Sequence, residues 1–369
     1  MKQLIQTTID KLSGRESPKN LIIGFDGFID EIIHVVNKRV DTSSFTRMKK
    51  IENLASRIKQ ASGLSMNIEL FTEKKKLGGN GPIMANALIN QGNNVTYMGS
   101  LGKYRIEPIF IEFAEKCEEV YSMARPGHTD ALEFQDGKIM FGKSAHLSSV
   151  NWENLLQKIT KAKLRKIIGR SDFLAFTNWT LLTELNSIID GFHELIKEEQ
   201  SPLKVFFDLA DPTKRNTKDI KAVLKKIQSF NSINNVNVAL GLNENESRLI
   251  SRVLNLTETA DLKKRAESIC QSLSLEFIVI HPVKGAAVSD ANNSYWVDGP
   301  YTKKPLLTTG AGDNFNAGFC NGWLNGLSLK ECLVTGVATS GFYVRNAFSP
   351  NKNELIKFMK RWSDRKISE

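Results

Sequence analysis

Thr308-Thr309-Gly310-Ala311-Gly312-Asp313 sets a glycine-rich turn in front of a carboxylate. The residues after it repeat at helical spacing, with Phe315, Phe319 and Trp323 on one side and Gly326 as a stop. Two glycines around a small alanine let backbone N–H groups approach and converge on one anion. At the start of a helix those amides add the positive end of the dipole, which favours a phosphate. The same end is expected to keep Asp313 ionised, ready to take a proton from a hydroxyl. An ordinary N-cap after an ordinary turn has the same local sequence, so the other motifs must weigh in.

Three of them carry chemistry. Leu21-Ile22-Ile23-Gly24-Phe25 reads as a buried strand running into Asp26-Gly27-Phe28-Ile29-Asp30. Asp26 and Asp30 therefore stand where α/β sheets gather ligands, at the carboxyl end of a strand. Gly78-Gly79-Asn80-Gly81-Pro82 leads into a helix, with the proline in its first turn, where a missing N–H costs nothing. In the run from Val236 to Glu246, which ends a strand and starts a helix, Asn243 and Glu246 lie three apart. Oxygen ligands on one side of a first helical turn could order Mg²⁺ and its waters, and the same spacing makes a capping box.

The elements that must position these groups alternate regularly. Helices are expected over Trp152–Ile168, Leu181–Ile196, Ile220–Phe230 and Leu329–Arg345, and strands at Phe173–Thr177, Val205–Phe207 and Phe277–His281. That rhythm predicts a mainly parallel sheet covered on both faces. Ala131–Phe134 and Ile139–Lys143 alternate around Asp136-Gly137-Lys138, a hairpin signal. Asn67–Phe71 also alternates like a strand. Met48, Ile51, Leu54, Ala55 and Ile58 mark an inserted helix near 44–61.

The composition, 41% hydrophobic over 369 residues, suits a sizeable soluble core. Cys117, Cys270, Cys320 and Cys332 form no C-x-x-C pair, which argues against a disulfide framework or zinc site and for a reducing cytoplasm. Lys2, Asp10, Lys11, Arg15 and Glu16 interrupt the N-terminal apolar residues, and no later run approaches roughly 18 apolar positions, so neither signal peptide nor membrane helix is expected. The +10 formal charge is scattered over Lys74–Lys76, 158–170, 218–226 and 360–366. The helical runs read as solvated faces, and no nucleic-acid surface is expected.

Taken in order, the motifs closely resemble those of the ribokinase-like (PfkB) carbohydrate kinases, from Leu21 to about Pro350. The resemblance implies a three-layer α/β sandwich with a mainly parallel central sheet and a small β lid, in one domain spanning 1–369. The lid segments would be about 31–77 and 121–148. It implies an ATP-dependent, Mg²⁺-dependent kinase acting on a sugar hydroxyl, with Asp313 as general base and the amides of Gly310, Ala311 and Gly312 as anion hole. Ile29-Asp30 looks like the family's sugar-binding pair, with Asp26 as the alternative because the spacing from Gly24 is one residue long. Gly78 and Gly79 would form the hinge, with Asn80 near the sugar. Asn243, Lys284, Gly285, Thr309 and Gly312 would meet the nucleotide, and Glu246 and Asn243 the metal. Asp208 to Arg215 would line the cleft, and His281 would be structural. The pattern departs in three places: Ile83 replaces a sugar-contacting asparagine, the usual G-x-D-x-x-G continuation is missing after Gly102, and Leu307 replaces the aspartate of a K⁺ site, leaving K⁺ unsupported there. A homodimer through the lid, a nucleoside or other small-molecule kinase of this fold, and a silent sugar- or nucleotide-binding regulator are the alternatives.

Overall fold

The computed structural model describes residues 1–14 and 17–367. Arg15 and Glu16, two of the charges read against a leader segment, lie outside them, as do the last two residues of the expected domain. No helix among the described residues is long and apolar enough to cross a membrane.

In chain order, α1 (Lys2–Leu12) precedes β1 (Asn20–Gly24), β2 (Phe28–Arg39), β3 (Phe45–Arg47), α2 (Ile51–Gln60), β4 (Leu70–Gly78), α3 (Asn80–Asn90) and β5 (Asn94–Gly99). Next come α4 (Ile111–Lys116), β6 (Glu119–Ser122), β7 (Gly127–Phe134), β8 (Gly137–Lys143), α5 (Trp152–Lys158), α6 (Lys161–Gly169) and β9 (Phe173–Phe176). There follow α7 (Leu185–Glu198), β10 (Leu203–Asp208), α8 (Thr217–Phe230), β11 (Val236–Leu242), α9 (Glu244–Val253), α10 (Leu262–Leu273) and β12 (Phe277–Ile280). The chain closes with β13 (Gly285–Ser289), β14 (Ser294–Asp298), α11 (Ala311–Leu324), α12 (Leu329–Asn346) and α13 (Lys352–Ser363).

The large sheet runs β14-β13-β12-β11-β10-β9-β1-β5-β6, parallel from β6 to β12 and antiparallel at the β13–β14 edge. Its strands are apolar on both sides, as a doubly covered sheet demands. Ile22, Leu174, Val205 and Leu240 face a core shared with α5 to α10, whereas Ile23, Ala175, Phe206 and Ala239 face one shared with α1, α3, α11, α12 and α13. These are the three layers expected.

Some boundaries differ from the periodicity. The helix expected over Trp152–Ile168 is two, because Thr160 accepts a hydrogen bond from Lys163 N and starts a new one. The next begins at Leu185 and not Leu181. The strand expected at Asn67–Phe71 starts at Leu70 and continues to Gly78. Tyr121 and Ser122, at the start of the second expected lid stretch, belong instead to β6, which pairs with β5 at the edge of the large sheet.

The lid is a five-stranded sheet of β2, β3, β4, β7 and β8. The inserted helix α2 covers its outer face: Leu54 and Met48 bury themselves against Ile33, Val35 and Leu132. Asp136 in the hairpin turn accepts Ile51 N at 3.0 Å and caps α2, while Arg57 donates to Val36 O and Asn37 O. The lid thus has its own small core.

The seam between α11 and α12 is built from small residues. A Cβ on Gly318 would lie 2.6 Å from Thr335 O, and one on Gly322 2.8 Å from Thr335 Oγ1. Backbone cannot yield as a flexible side chain does, so Gly318→Val is expected to cost about 3 kcal/mol through overpacking, read as a lower denaturation midpoint with unchanged m-value.

Candidate active site

Asp26 and Asp30, close in sequence, occupy different environments. Asp26 is fully buried at the end of β1. Its carboxylate accepts Asn80 N at 2.9 Å and Gly81 N at 2.7 Å, two of the orphan donors at the start of α3, and Asn178 Nδ2 at 2.6 Å. Gly79 lies at φ 97°, and a Cβ there would stand 3.0 Å from Asp26 Oδ2, so this junction accepts only glycine. These donors to Asp26 all come from the protein itself. Asp30 projects from the lid strand β2 over Gly78, where a Cβ would come within 2.5 Å of its carboxylate. Burial raises its pKa, partly offset by the Lys76 charge and the Thr129 hydroxyl.

Across the cleft, α11 begins at Gly310, whose φ of 92° makes the turn. Ala311 N donates to Thr308 O at 3.1 Å, so this amide closes the turn. Among the described residues the amides of Gly312 and Asp313 meet no protein acceptor outside the helix, and they are the donors the helix end offers an anion. Ile83, the residue in the asparagine's place, packs here: a Cβ on Gly310 would meet its Cδ1 at 3.1 Å. Tyr343 OH donates to Thr309 O at 2.8 Å and steadies the turn from α12.

Asp313 is buried in the first turn of α11, and Asn80 Nδ2 donates to its Oδ1 at 2.8 Å. Asn80, expected beside the sugar, therefore orients the acid. The pKa of Asp313 is raised well above the ordinary range, first by burial and then by the Asp208 charge, with the Asn80 hydrogen bond opposing. The helix end favours the charged carboxyl, as expected, but desolvation and like charge act against it. Asp208, read from the sequence only as part of a cleft wall, ends β10 and accepts Ala210 N at 2.7 Å and Asn316 Nδ2 at 2.8 Å, and burial pushes it up to about 6.

Asn243 and Glu246 form the capping box of α9, with Asn243 N donating to Glu246 Oε2 at 2.8 Å and Glu246 N to Asn243 Oδ1 at 2.9 Å. Burial and the Asp208 charge push Glu246 up to about 9. Among the described residues no three His, Cys, Asp or Glu side chains are disposed to hold a metal directly. The donor set fits a divalent ion held chiefly by phosphate and water, with the Asp208 and Glu246 charges behind it.

A cavity of about 380 Å³ opens beside the start of α11, between the turn 281–285, the loop 299–305 and α12. Pro282, Val283, Pro300, Val337 and Val344 line it, and Thr308, Ala311, Gly312 and Asn243 close its polar end. Gly285 lies in its wall, whereas Thr309 and the exposed Lys284 do not. His281 tilts against Phe315, with ring centres 4.8 Å apart, behind Gly312, and burial lowers its pKa to about 4, so the ring is neutral. An apolar chamber leading to helix-end amides fits a nucleotide, base inward and phosphates toward Gly312.

This is the ground plan of the ribokinase-like carbohydrate kinases. The chain belongs to the prokaryotic ketohexokinase family, whose model matches residues 2–362, and it is a carbohydrate kinase. The ketohexokinase of Haloferax volcanii is 26% identical over 359 residues, covering 96% of this chain and 94% of that one. Adenosine kinase from Sinorhizobium meliloti matches with a TM-score of 0.66 at 16% identity, over 94% of this chain and 100% of that one. Arabidopsis thaliana ribokinase complexed with ribose and ATP matches with a TM-score of 0.62 at 18% identity, over 94% and 99%. At such identities the likeness to the solved structures is one of fold.

Asp26→Asn keeps shape but turns one acceptor oxygen into a donor facing N–H groups. It is expected to destabilise the protein by about 1–3 kcal/mol, measured by urea unfolding.

Proposed function

We propose that this protein transfers the γ-phosphate of ATP to a hydroxyl of a ketohexose. The observation that carries the reading is the position of Asp313. It directly follows Gly312, which lines the chamber, it lies near enough to the lid to feel the Asp30 charge, and Asn80 holds its carboxyl. The family supports a ketohexose as acceptor.

In this reading Asp30 accepts hydrogen bonds from sugar hydroxyls and holds the reacting one toward Asp313. Asp313 takes its proton as the oxygen–phosphorus bond forms and the bond to ADP breaks. Its raised pKa makes it a strong proton acceptor once ionised. The amides of Gly312 and Asp313 meet the phosphoryl oxygens as negative charge shifts among them. Mg²⁺, when bound with the nucleotide, supplies positive charge beside Asp208 and Glu246. Closure of the lid, hinged at Gly78 and Gly79, excludes water from the transfer.

Assay of ATP consumption over ketohexoses, aldoses and nucleosides tests the substrate class; turnover of nucleosides alone would overturn it. Asp313→Asn is expected to lower kcat by about 10²- to 10⁴-fold with both substrates still bound, and full activity would remove Asp313 from its role. The pH dependence carries a further test. Asp208 raises the Asp313 pKa, so Asp208→Asn lowers it, Asp313 ionises at lower pH, and the acidic limb of kcat/KM moves to lower pH. An unmoved limb would assign it to another group.

A further inference from the structure

The cleft face of the lid carries one more group, which the reaction described above does not use. Lys76 of β4 and Thr129 of β7 are the cross-strand neighbours of Asp30 in β2. Residues opposed in this way leave a sheet on the same face. That face looks into the cleft: Asp30 lies over the Gly78 hinge, and its charge is felt by Asp313 and Tyr343. The opposite face is the one closed by α2.

Lys76 differs from the lysines around it. Lys75 pairs with Glu31, Lys138 with Glu133 and Lys143 with Asp130, each at 2.7 Å, and Lys74 is exposed to water. Lys76 is half-buried, and among the described residues its ammonium has neither a carboxylate at ion-pairing distance nor a hydrogen-bond acceptor. Burial lowers its pKa, and the Asp30 charge offsets part of that. A partly desolvated ammonium without an acceptor is costly unless an incoming oxygen completes it.

We propose that Lys76 is a specificity-determining residue whose ammonium donates to a hydroxyl of the acceptor sugar adjacent to one held by Asp30. A carboxylate only accepts and an ammonium only donates, whereas a hydroxyl does both. Side by side on one strand pair, Asp30 and Lys76 therefore match a vicinal diol, with one hydroxyl donating to Asp30 and its neighbour accepting from Lys76. The lid selects polyhydroxylated acceptors and discriminates against a deoxy position at that neighbour. This rests on the sugar kinase reading but not on the role of Asp313.

The test compares wild type, Lys76→Met and Lys76→Arg, all full length, with D-fructose and its monodeoxy analogues. Lys76→Met is expected to raise KM for fructose about 10- to 100-fold, with kcat and the KM for ATP unchanged, and Lys76→Arg to restore most of the loss. With the one analogue lacking the hydroxyl that Lys76 reads, the penalty of Lys76→Met should vanish. An unchanged KM overturns the proposal. So does an equal penalty for every analogue, which would make Lys76 a mere counter-ion of Asp30. If wild type uses another sugar, the same comparison on that sugar and its deoxy forms decides Lys76 separately from the ketohexose assignment. A wild type that phosphorylates no sugar overturns both.

Discussion

Asp26 is a carboxylate with no exposed surface, and the site is assembled around what it must hold to remain there. Taking such a group out of water is costly unless donors replace the lost hydration. The first two amides of α3 and the Asn178 side chain supply them, joining the ends of β1 and β9 to the start of a helix. Fixing the start of α3 also fixes Asn80, whose side chain reaches Asp313 across 233 residues of sequence. Asp313 is thus held from a hydrogen-bonded junction on another element.

The same burial creates an electrostatic imbalance. Asp26, Asp208, Glu246 and Asp313 all have raised pKa values, because each is desolvated, and at Asp208, Glu246 and Asp313 neighbouring carboxylate charge adds to the rise. Water is largely excluded, so their relief must come from positive groups brought by ligands or from protons. The free amides at the start of α11 draw phosphate oxygens while the acids beneath draw cations. A nucleotide accompanied by a divalent ion satisfies both, and a bare phosphate satisfies only the first.

The lid separates structure from recognition by the alternation of its strands. One face buries Ile33, Val35 and Leu132 under α2, and the other presents Asp30 and Lys76 to the cleft. Since neighbouring residues point to opposite faces, β2 and β4 can serve both ends at once. The small core under α2 gives the lid cohesion of its own, which suits the closure proposed above.

The sequence by itself determined the sheet and the parts of the site confined to one stretch. Apolar runs, glycine turns and helical spacing located β1, β9, β12, α11 and the β7–β8 hairpin, because backbone preference and hydrophobic period act over a few residues. Tertiary structure decided what depends on distant partners. Sequence spacing could not separate Asp26 from Asp30, because the distinction lies in donors from α3 and β9. Asn80 read as a sugar ligand until Asp313 appeared beside it. The proton affinity of Asp313 was not legible in the sequence, because the local helix end favours the charge while burial and Asp208, about a hundred residues away in the chain, oppose it. Lys76 passed as one lysine of a basic run, since only the register of β4 on β2 singles it out for the cleft. Charge and hydrogen-bond partners are set by whichever groups the fold brings within a few ångströms, and only the folded chain specifies them.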